Sequence, residues 1–158
     1  MNCEIVTIGS ELLLGQIIDT NASYLARELN LIGINVQFHT TIGDNYPQIK
    51  DVLSQALNRT DLVITTGGLG PTEDDLTREV IADLMDSPLM FKEELMAQIE
   101  SIFESFGYSM PENNRKQAFI PDGAIPIPNK VGTAPGFIME KESKLIISLP
   151  GVPKELKY

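Results

Sequence analysis

The stretch Asp61-Leu62-Val63-Ile64-Thr65-Thr66-Gly67-Gly68-Leu69-Gly70-Pro71-Thr72 decides how this chain is read. Its apolar half is a short β-branched run that suits a strand buried on both faces, and it breaks into three glycines. Leu76, Val80, Ile81, Leu84 and Met85 then recur at helical spacing until Ser87-Pro88. A strand, a glycine turn and a helix make half of a βαβ unit. In open parallel sheets ligands collect outside the carboxyl ends of the strands, where this loop must lie. Glycines let a ligand approach the backbone, and a following helix turns unpaired N–H groups and its positive end towards the loop. Thr66, Gly67, Gly68, Leu69, Gly70, Pro71 and Thr72 are therefore candidate anion-binding residues; glycines that merely turn the chain are the plainer reading. The loop lacks the Gly-Lys-Ser/Thr of a Walker loop and the Gly-x-Gly-x-x-Gly of a dinucleotide fingerprint.

Upstream, Glu4-Ile5-Val6-Thr7-Ile8 reads as a buried strand ending at Gly9, and Ala22, Leu25, Leu29 and Ile32 mark a helix closed by Gly33. Ile34 to Ile42 alternates as a second strand, and Ile49, Val52, Leu53, Ala56 and Leu57 form the next helix. The order β-α-β-α-β-α implies parallel strands with right-handed crossovers, a doubly wound α/β sheet with helices on both faces. Downstream, Phe91, Leu95, Ile99, Ile102, Phe103 and Phe106 lie on one helical stripe that ends at Gly107. Prolines at 121, 126, 128 and 135 exclude a regular helix or a central strand. A C-terminal β-hairpin is expected from Gly136–Glu140 and Lys144–Leu149 around Lys141-Glu142-Ser143. The 158 residues suffice for one domain over 1–158, expected to be a piece of a longer protein because Pro150-Gly151-Val152-Pro153 opens another turn.

Bulk chemistry narrows the partners. A net charge of −10, with no basic patch, argues against a nucleic-acid partner, because neutralising phosphates with Lys and Arg supplies most non-specific affinity. No apolar run approaches the ~18 residues of a membrane span, and no targeting segment is visible, so a cytoplasmic protein is expected. The lone Cys3 reads as a packed thiol, and His39, the only histidine, as a solvated strand residue rather than a base.

Acidic residues crowd the strand ends. Glu73, Asp74 and Asp75 follow the glycine loop, and carboxylates beside a phosphate are costly unless a cation lies between them. A divalent metal is expected with Asp74 or Asp75; equally, Thr72 as an N-cap with Asp75 reaching back needs no ligand. Asp44 ends the second strand as a further acid at the site or as the cap of the Ile49 helix. Gly9-Ser10-Glu11 belongs to the same edge, with Thr20 or Asn21 starting a helix as a cap. Leu12 to Ile18 is too apolar for a free loop and should pack on the domain or on a second subunit. In the cluster Asn113-Asn114-Arg115-Lys116, Lys116 either meets a phosphate or belongs to an exposed helix start.

Gly9-Ser10-Glu11-Leu12-Leu13-x-Gly15, Asp19-Thr20-Asn21, Thr66-Gly67-Gly68-Leu69-Gly70-Pro71-Thr72-x-Asp74-Asp75-x-Thr77 and Pro150-Gly151-Val152-Pro153-x-Glu155, in this order, closely resemble the N-terminal domain of the CinA competence/damage-inducible family, of the molybdopterin-binding (MoaB/Mog-like) superfamily. Asn113-x-x-Lys116-Gln117-Ala118 and Gly132-Thr133-Ala134-Pro135-Gly136 are similar to it as well. The resemblance implies a homo-oligomer, dimer or trimer, that holds a small nucleotide or pterin phosphate across the Thr66–Asp75 loop. It further implies metal-dependent hydrolysis of ADP-ribose to AMP and ribose 5-phosphate in pyridine-nucleotide salvage. In relatives that build the molybdenum cofactor the loop reads Gly-Gly-Thr-Gly followed by Arg-Asp, where this chain has Leu69, Pro71 and Asp74. Molybdopterin binding, or a non-catalytic sensing module, is the other reading. On this basis Asp44, Asp74 and Asp75 are expected to hold Mg²⁺, Mn²⁺ or Co²⁺, with K⁺ as a further ion, and to carry catalysis. The expected ligand-binding set is Gly9, Ser10, Glu11, Asn21, Thr77, Lys116, Thr133, Pro150 and Gly151 with the loop 66–72, the Gly67, Gly68 and Gly70 amides cradling the diphosphate.

Overall fold

The computed structural model describes residues 1–158. Strands β1 (Asn2–Ile8), β2 (Asn35–Ile42), β3 (Leu62–Thr66), β6 (Ile125–Ile127), β7 (Gly136–Lys141) and β8 (Lys144–Leu149) form a six-stranded sheet ordered β2-β1-β3-β8-β7-β6. β1 pairs in parallel with β2 and β3, and β3 with β8, whereas β7 runs antiparallel to β8 and β6. The expected hairpin is thus built into the main sheet, its turn at Glu142 and Ser143 with φ of 51° and 64°, the left-handed pair that suits a two-residue connection. Pro126 is tolerated because β6 is an edge strand.

Helices cover both faces. On one, α2 (Thr20–Leu31) buries Ala22, Leu25 and Leu29 against Cys3, Ile5, Leu62 and Ile64. On the other, α3 (Tyr46–Arg59), α4 (Thr77–Leu84) and α5 (Glu93–Ser105) build the larger core with Val6, Ile8, Val63 and Ile146. The pattern follows from the period-two alternation of strands that are buried on both sides. No helix is long and apolar enough to cross a membrane.

The structure corrects several boundaries. α4 begins at Thr77, five residues after Thr72, and Leu76 gives it no side-chain cap. Phe91 belongs to a three-residue strand, β4 (Leu89–Phe91), paired with β5 (Phe119–Pro121), and stacks at 5.3 Å on Phe119 rather than extending α5; Phe106 is exposed. The polar stretch Glu112–Ala118 is a 3-10 helix that buries Asn114 and Gln117, so it is no exposed helix start. Leu13, Leu14, Ile17 and Ile18 do not pack on the domain; they stay exposed around the short α1 (Ser10–Leu13).

Cys3 lies in the α2-side core, where burial, and secondarily the nearby Glu4 carboxylate, push its thiol up to about 11. A thiol held protonated and shielded is inert. At pH 8 the native protein should leave Ellman's reagent uncoloured, and denaturation should release one thiol equivalent; rapid native labelling would contradict this packing.

Candidate functional site

The carboxyl ends of β1, β3 and β8 open into one cleft of about 570 Å³. Two glycines, Gly67 and Gly151, let these strand ends approach closely. Gly67 has φ 104°, and a Cβ there would lie 2.1 Å from the Ile8 carbonyl oxygen; a Cβ on Gly151 would lie 3.1 Å from the Gly67 Cα. The space that glycine creates at position 67 is therefore filled by the neighbouring strand, not left for a ligand. Its amide is also committed, donating to the Leu149 carbonyl at 3.2 Å, which corrects the expectation that it cradles phosphate. By contrast, the amides of Gly68, Leu69 and Gly70 donate to no group of the protein, and these loop residues line the cleft.

The loop is fixed from beneath by residues of α4. Thr77 is buried; its Oγ1 donates to the Gly67 carbonyl at 2.8 Å and its N–H to Gly68 at 3.1 Å, so it shapes the loop rather than lining the cleft. Arg78, 1% exposed, donates from its two terminal nitrogens to the carbonyls of Leu69 (2.7 Å) and Gly70 (2.8 Å), while its Nε has no partner. Burial lowers its pKa from the ordinary arginine value, opposed by the nearby Glu79 and Asp75 charges. Sequence reading missed this residue, because an arginine in the first turn of an amphipathic helix looks like a surface cation. The Leu69 side chain sits in the larger core and pins the loop from within.

Lys116 is equally committed. Its ammonium donates to the carbonyls of Thr72 (2.9 Å) and Asp75 (2.5 Å) and pairs with Glu79 at 3.3 Å. It does not line the cleft and is not free to neutralise a ligand, so the phosphate role expected for it is replaced by one of bracing the loop.

The acids divide by what their oxygens already do. Asp75 Oδ2 accepts from Thr72 N–H (2.9 Å) and Thr72 Oγ1 (2.6 Å): Asp75 reaches back to the Thr72 N–H, but the Thr72 hydroxyl donates rather than caps, and the bonds close a turn ahead of α4 instead of starting the helix. Asp44 is no cap, since Asn45 caps α3 through Gln48 N–H; Asp44 Oδ2 accepts from Ser10 N–H at 2.8 Å while its own N–H donates to Ser10 Oγ at 3.1 Å. The loops after β1 and β2 are tied together by this exchange. Asp74 is exposed at the cleft and makes no hydrogen bond within the protein. Asn21 is not a cap either, since Asp19 caps α2 through Ala22 N–H. Its Nδ2 instead donates to Thr66 Oγ1 (3.1 Å) and the Gly151 carbonyl (2.7 Å), while Thr66 Oγ1 donates to Pro150 (2.9 Å). His39, half-exposed, lies 3.2 Å from Asp19 and takes no part in the cleft lining.

Six carboxylates, those of Glu11, Asp19, Asp44, Asp74, Asp75 and Glu155, line the cleft together with Thr133, and no lysine, arginine or histidine does. No three His, Cys, Asp or Glu side chains converge into a group able to hold a metal by themselves. Hard oxygen donors presented one or two at a time fit an ion of the Mg²⁺ type, which takes one or two carboxylates and completes its shell with ligand phosphates and water. An anionic ligand could then rest on the free amides with its charge offset by an ion between it and the acids.

Comparison with known proteins places this geometry. Residues 4–158 match the family model of a probable molybdopterin binding domain. The chain is 53% identical over 156 residues to a putative competence-damage inducible protein of a Thermoanaerobacter species, and 51% identical to a CinA-like protein of Dictyoglomus thermophilum; each match covers 99% of this chain and 38% of the relative. The chain thus spans less than half the length of these relatives. Among solved structures, a CinA protein of unknown function from Thermoplasma acidophilum superposes with a TM-score of 0.90 at 37% identity, covering 99% of this chain and 91% of that one. The molybdopterin biosynthesis enzyme MoaB of Thermus thermophilus has a TM-score of 0.61 at 23% identity, covering 99% and 84%, and shares the fold.

Proposed function

The chain belongs to the molybdopterin-binding domain family, on its CinA branch, and from that premise we propose that its cleft hydrolyses the diphosphate of ADP-ribose to AMP and ribose 5-phosphate with the help of a divalent ion. One observation carries the reading: Gly68, Leu69 and Gly70, whose amides donate to no protein group, line a cleft whose ionisable side chains are all carboxylates. Such a site repels a bare diphosphate and accepts one that arrives with cations.

Asp44, Asp74 and Asp75 are the residues that would hold the ion, since Asp74 is unengaged and Asp44 and Asp75 each keep one oxygen without a partner, the other being spent on Ser10 and Thr72 respectively. Bound Mg²⁺, Mn²⁺ or Co²⁺ supplies Lewis-acid polarisation of a phosphoryl oxygen and a more acidic water. The protein's own part is positional. The loop amides orient the diphosphate, Arg78 and Thr77 keep those amides pointed outward, and a cleft carboxylate accepts the proton of the attacking water. Water oxygen bonds to one phosphorus as the bridging P–O bond breaks, and the departing phosphate keeps the electron pair.

Purified protein given ADP-ribose and Mg²⁺, Mn²⁺ or Co²⁺, with and without K⁺, should release equimolar AMP and ribose 5-phosphate and stop on chelation. Asp44→Asn and Asp74→Asn should each reduce kcat on the order of 100-fold while leaving the melting temperature close to wild type. No turnover with any of these ions defeats the hydrolase reading. Molybdopterin binding in its place selects the cofactor-assembly alternative, and nucleotide binding unaffected by Asp74→Asn selects a sensing module. The exposed apolar segment Leu12–Ile18 fits burial between copies in a dimer or trimer, which the mass in solution reads.

A further inference from the structure

The loop between β6 and β7 meets the segment that follows β8 in a second built feature of the cleft, separate from Asp44, Asp74 and Asp75. Asn129 is a hub with every hydrogen-bonding position in use. Its Oδ1 accepts from Val131 N–H (3.1 Å) and Gly132 N–H (2.9 Å), and its Nδ2 donates to the Ala134 carbonyl (3.0 Å) and to Glu155 Oε2 (2.6 Å). Glu155, on the short α6 (Pro153–Leu156), is therefore clamped by one oxygen. Gly132 makes the clamp possible, because a Cβ there would fall 2.1 Å from the Glu155 carboxyl carbon. The other oxygen, Oε1, has no partner in the protein, and Glu155 lines the cleft.

Position in the sheet says what this oxygen can meet. In the order β2-β1-β3-β8, the glycine loop follows β3 and Glu155 follows β8, so the two leave adjacent strands about 5 Å apart. Asp44 follows β2, two strands away on the opposite side. A diphosphate centred on the glycine loop, whose own segment carries Asp74 and Asp75, thus has Asp44 towards one flank and a single clamped carboxylate on the other. An ionised carboxylate only accepts hydrogen bonds, and it repels phosphate. The uncharged donors nearest the phosphates of a nucleotide are the hydroxyls of the sugar esterified to them, and carboxylates recognise ribose hydroxyls in this way at the strand ends of other α/β sheets.

We infer that Glu155, positioned by Asn129 and given room by Gly132, accepts a hydrogen bond from the ribose diol of the bound nucleotide and selects ribose over deoxyribose. This rests on the nucleotide reading above and adds to it the sugar that the cleft requires. Equilibrium binding of ADP and of 2′,3′-dideoxy-ADP, each with Mg²⁺, tests it. Wild type should favour ADP by about 10- to 100-fold, the effect of one hydrogen bond to a charged acceptor. Glu155→Ala should bring that preference below about threefold while leaving dideoxy-ADP affinity close to wild type. Gly132→Ala, which displaces the carboxylate without deleting it, should do the same and guards against a folding defect in the first variant. Equal wild-type affinity for the two nucleotides, or a preference retained in both variants, overturns the sugar contact alone. Failure of wild type to bind either nucleotide overturns the nucleotide reading and this inference together.

Discussion

Gly67→Ala is expected to lose about 4 kcal/mol of unfolding free energy, the largest effect of any single methyl group added to this protein. Two terms add. The backbone at Gly67 has φ 104°, which L-residues adopt only under strain, and the new Cβ would meet the Ile8 carbonyl oxygen at 2.1 Å. Neither neighbour can yield, since Ile8 ends β1 inside the sheet and Gly67 is itself bonded to Leu149. Gly123→Ala is the comparison: φ is 78° there, but nothing lies within 4 Å of the added carbon, so only the conformational term of about 1 kcal/mol applies. Urea unfolding of both variants separates the contributions. Equal losses would mean that the end of β3 is not seated against β1 as described.

That contrast shows how much of the site could be read from residue order. Leu62–Thr65 and the periodic apolar positions after it specify strand and helix because both faces of β3 are buried, and the doubly wound order follows from that alternation. The glycine cluster lies on the cleft, and its members do two different things that composition cannot separate: Gly67 serves strand packing, whereas the amides of Gly68 and Gly70 donate to no protein group. Thr72 and Asp75 carried a helix-start signature that is satisfied in a turn, because the side-chain bond needs only four residues and no helix after them. β4 and β5, three residues each, pair antiparallel with Phe91 on Phe119 and are too short to leave a periodic trace. Asn21 sits two residues after the true cap, Asp19, and its real partners, Thr66 and Gly151, lie 45 and 130 residues away. Glu155 stood inside a recognised motif but had no visible purpose until Asn129 and Gly132 were placed beside it.

Arg78→Met should cost on the order of 2 kcal/mol in stability and reduce diphosphate affinity more than it reduces the affinity for an uncharged nucleoside. The stability change is a balance. Methionine leaves the Gly70 carbonyl without a donor and the Leu69 carbonyl with only the long 3.4 Å bond from Gln117 Nε2, at about 1–3 kcal/mol for an unsatisfied buried group, while removing a charge whose burial is itself unfavourable and whose Nε is unpartnered. Binding has no such compensation. The guanidinium holds the carbonyls of Leu69 and Gly70; the Leu69 carbonyl shares its trans peptide with the Gly70 N–H, which is thereby turned to the opposite side, whereas the Gly70 carbonyl shares its peptide with Pro71, which has no N–H. Arg78 also places the one buried positive charge beneath a cleft that carries six carboxylates. Arg78→Lys keeps the charge but replaces a planar fork by a single ammonium, so it should restore the electrostatic part and only some of the loop geometry. Comparing ADP with adenosine across salt concentration distinguishes the two roles: a purely structural residue would weaken both ligands alike. A charge acting through the loop weakens ADP selectively, and in the wild type that advantage shrinks as salt screens it.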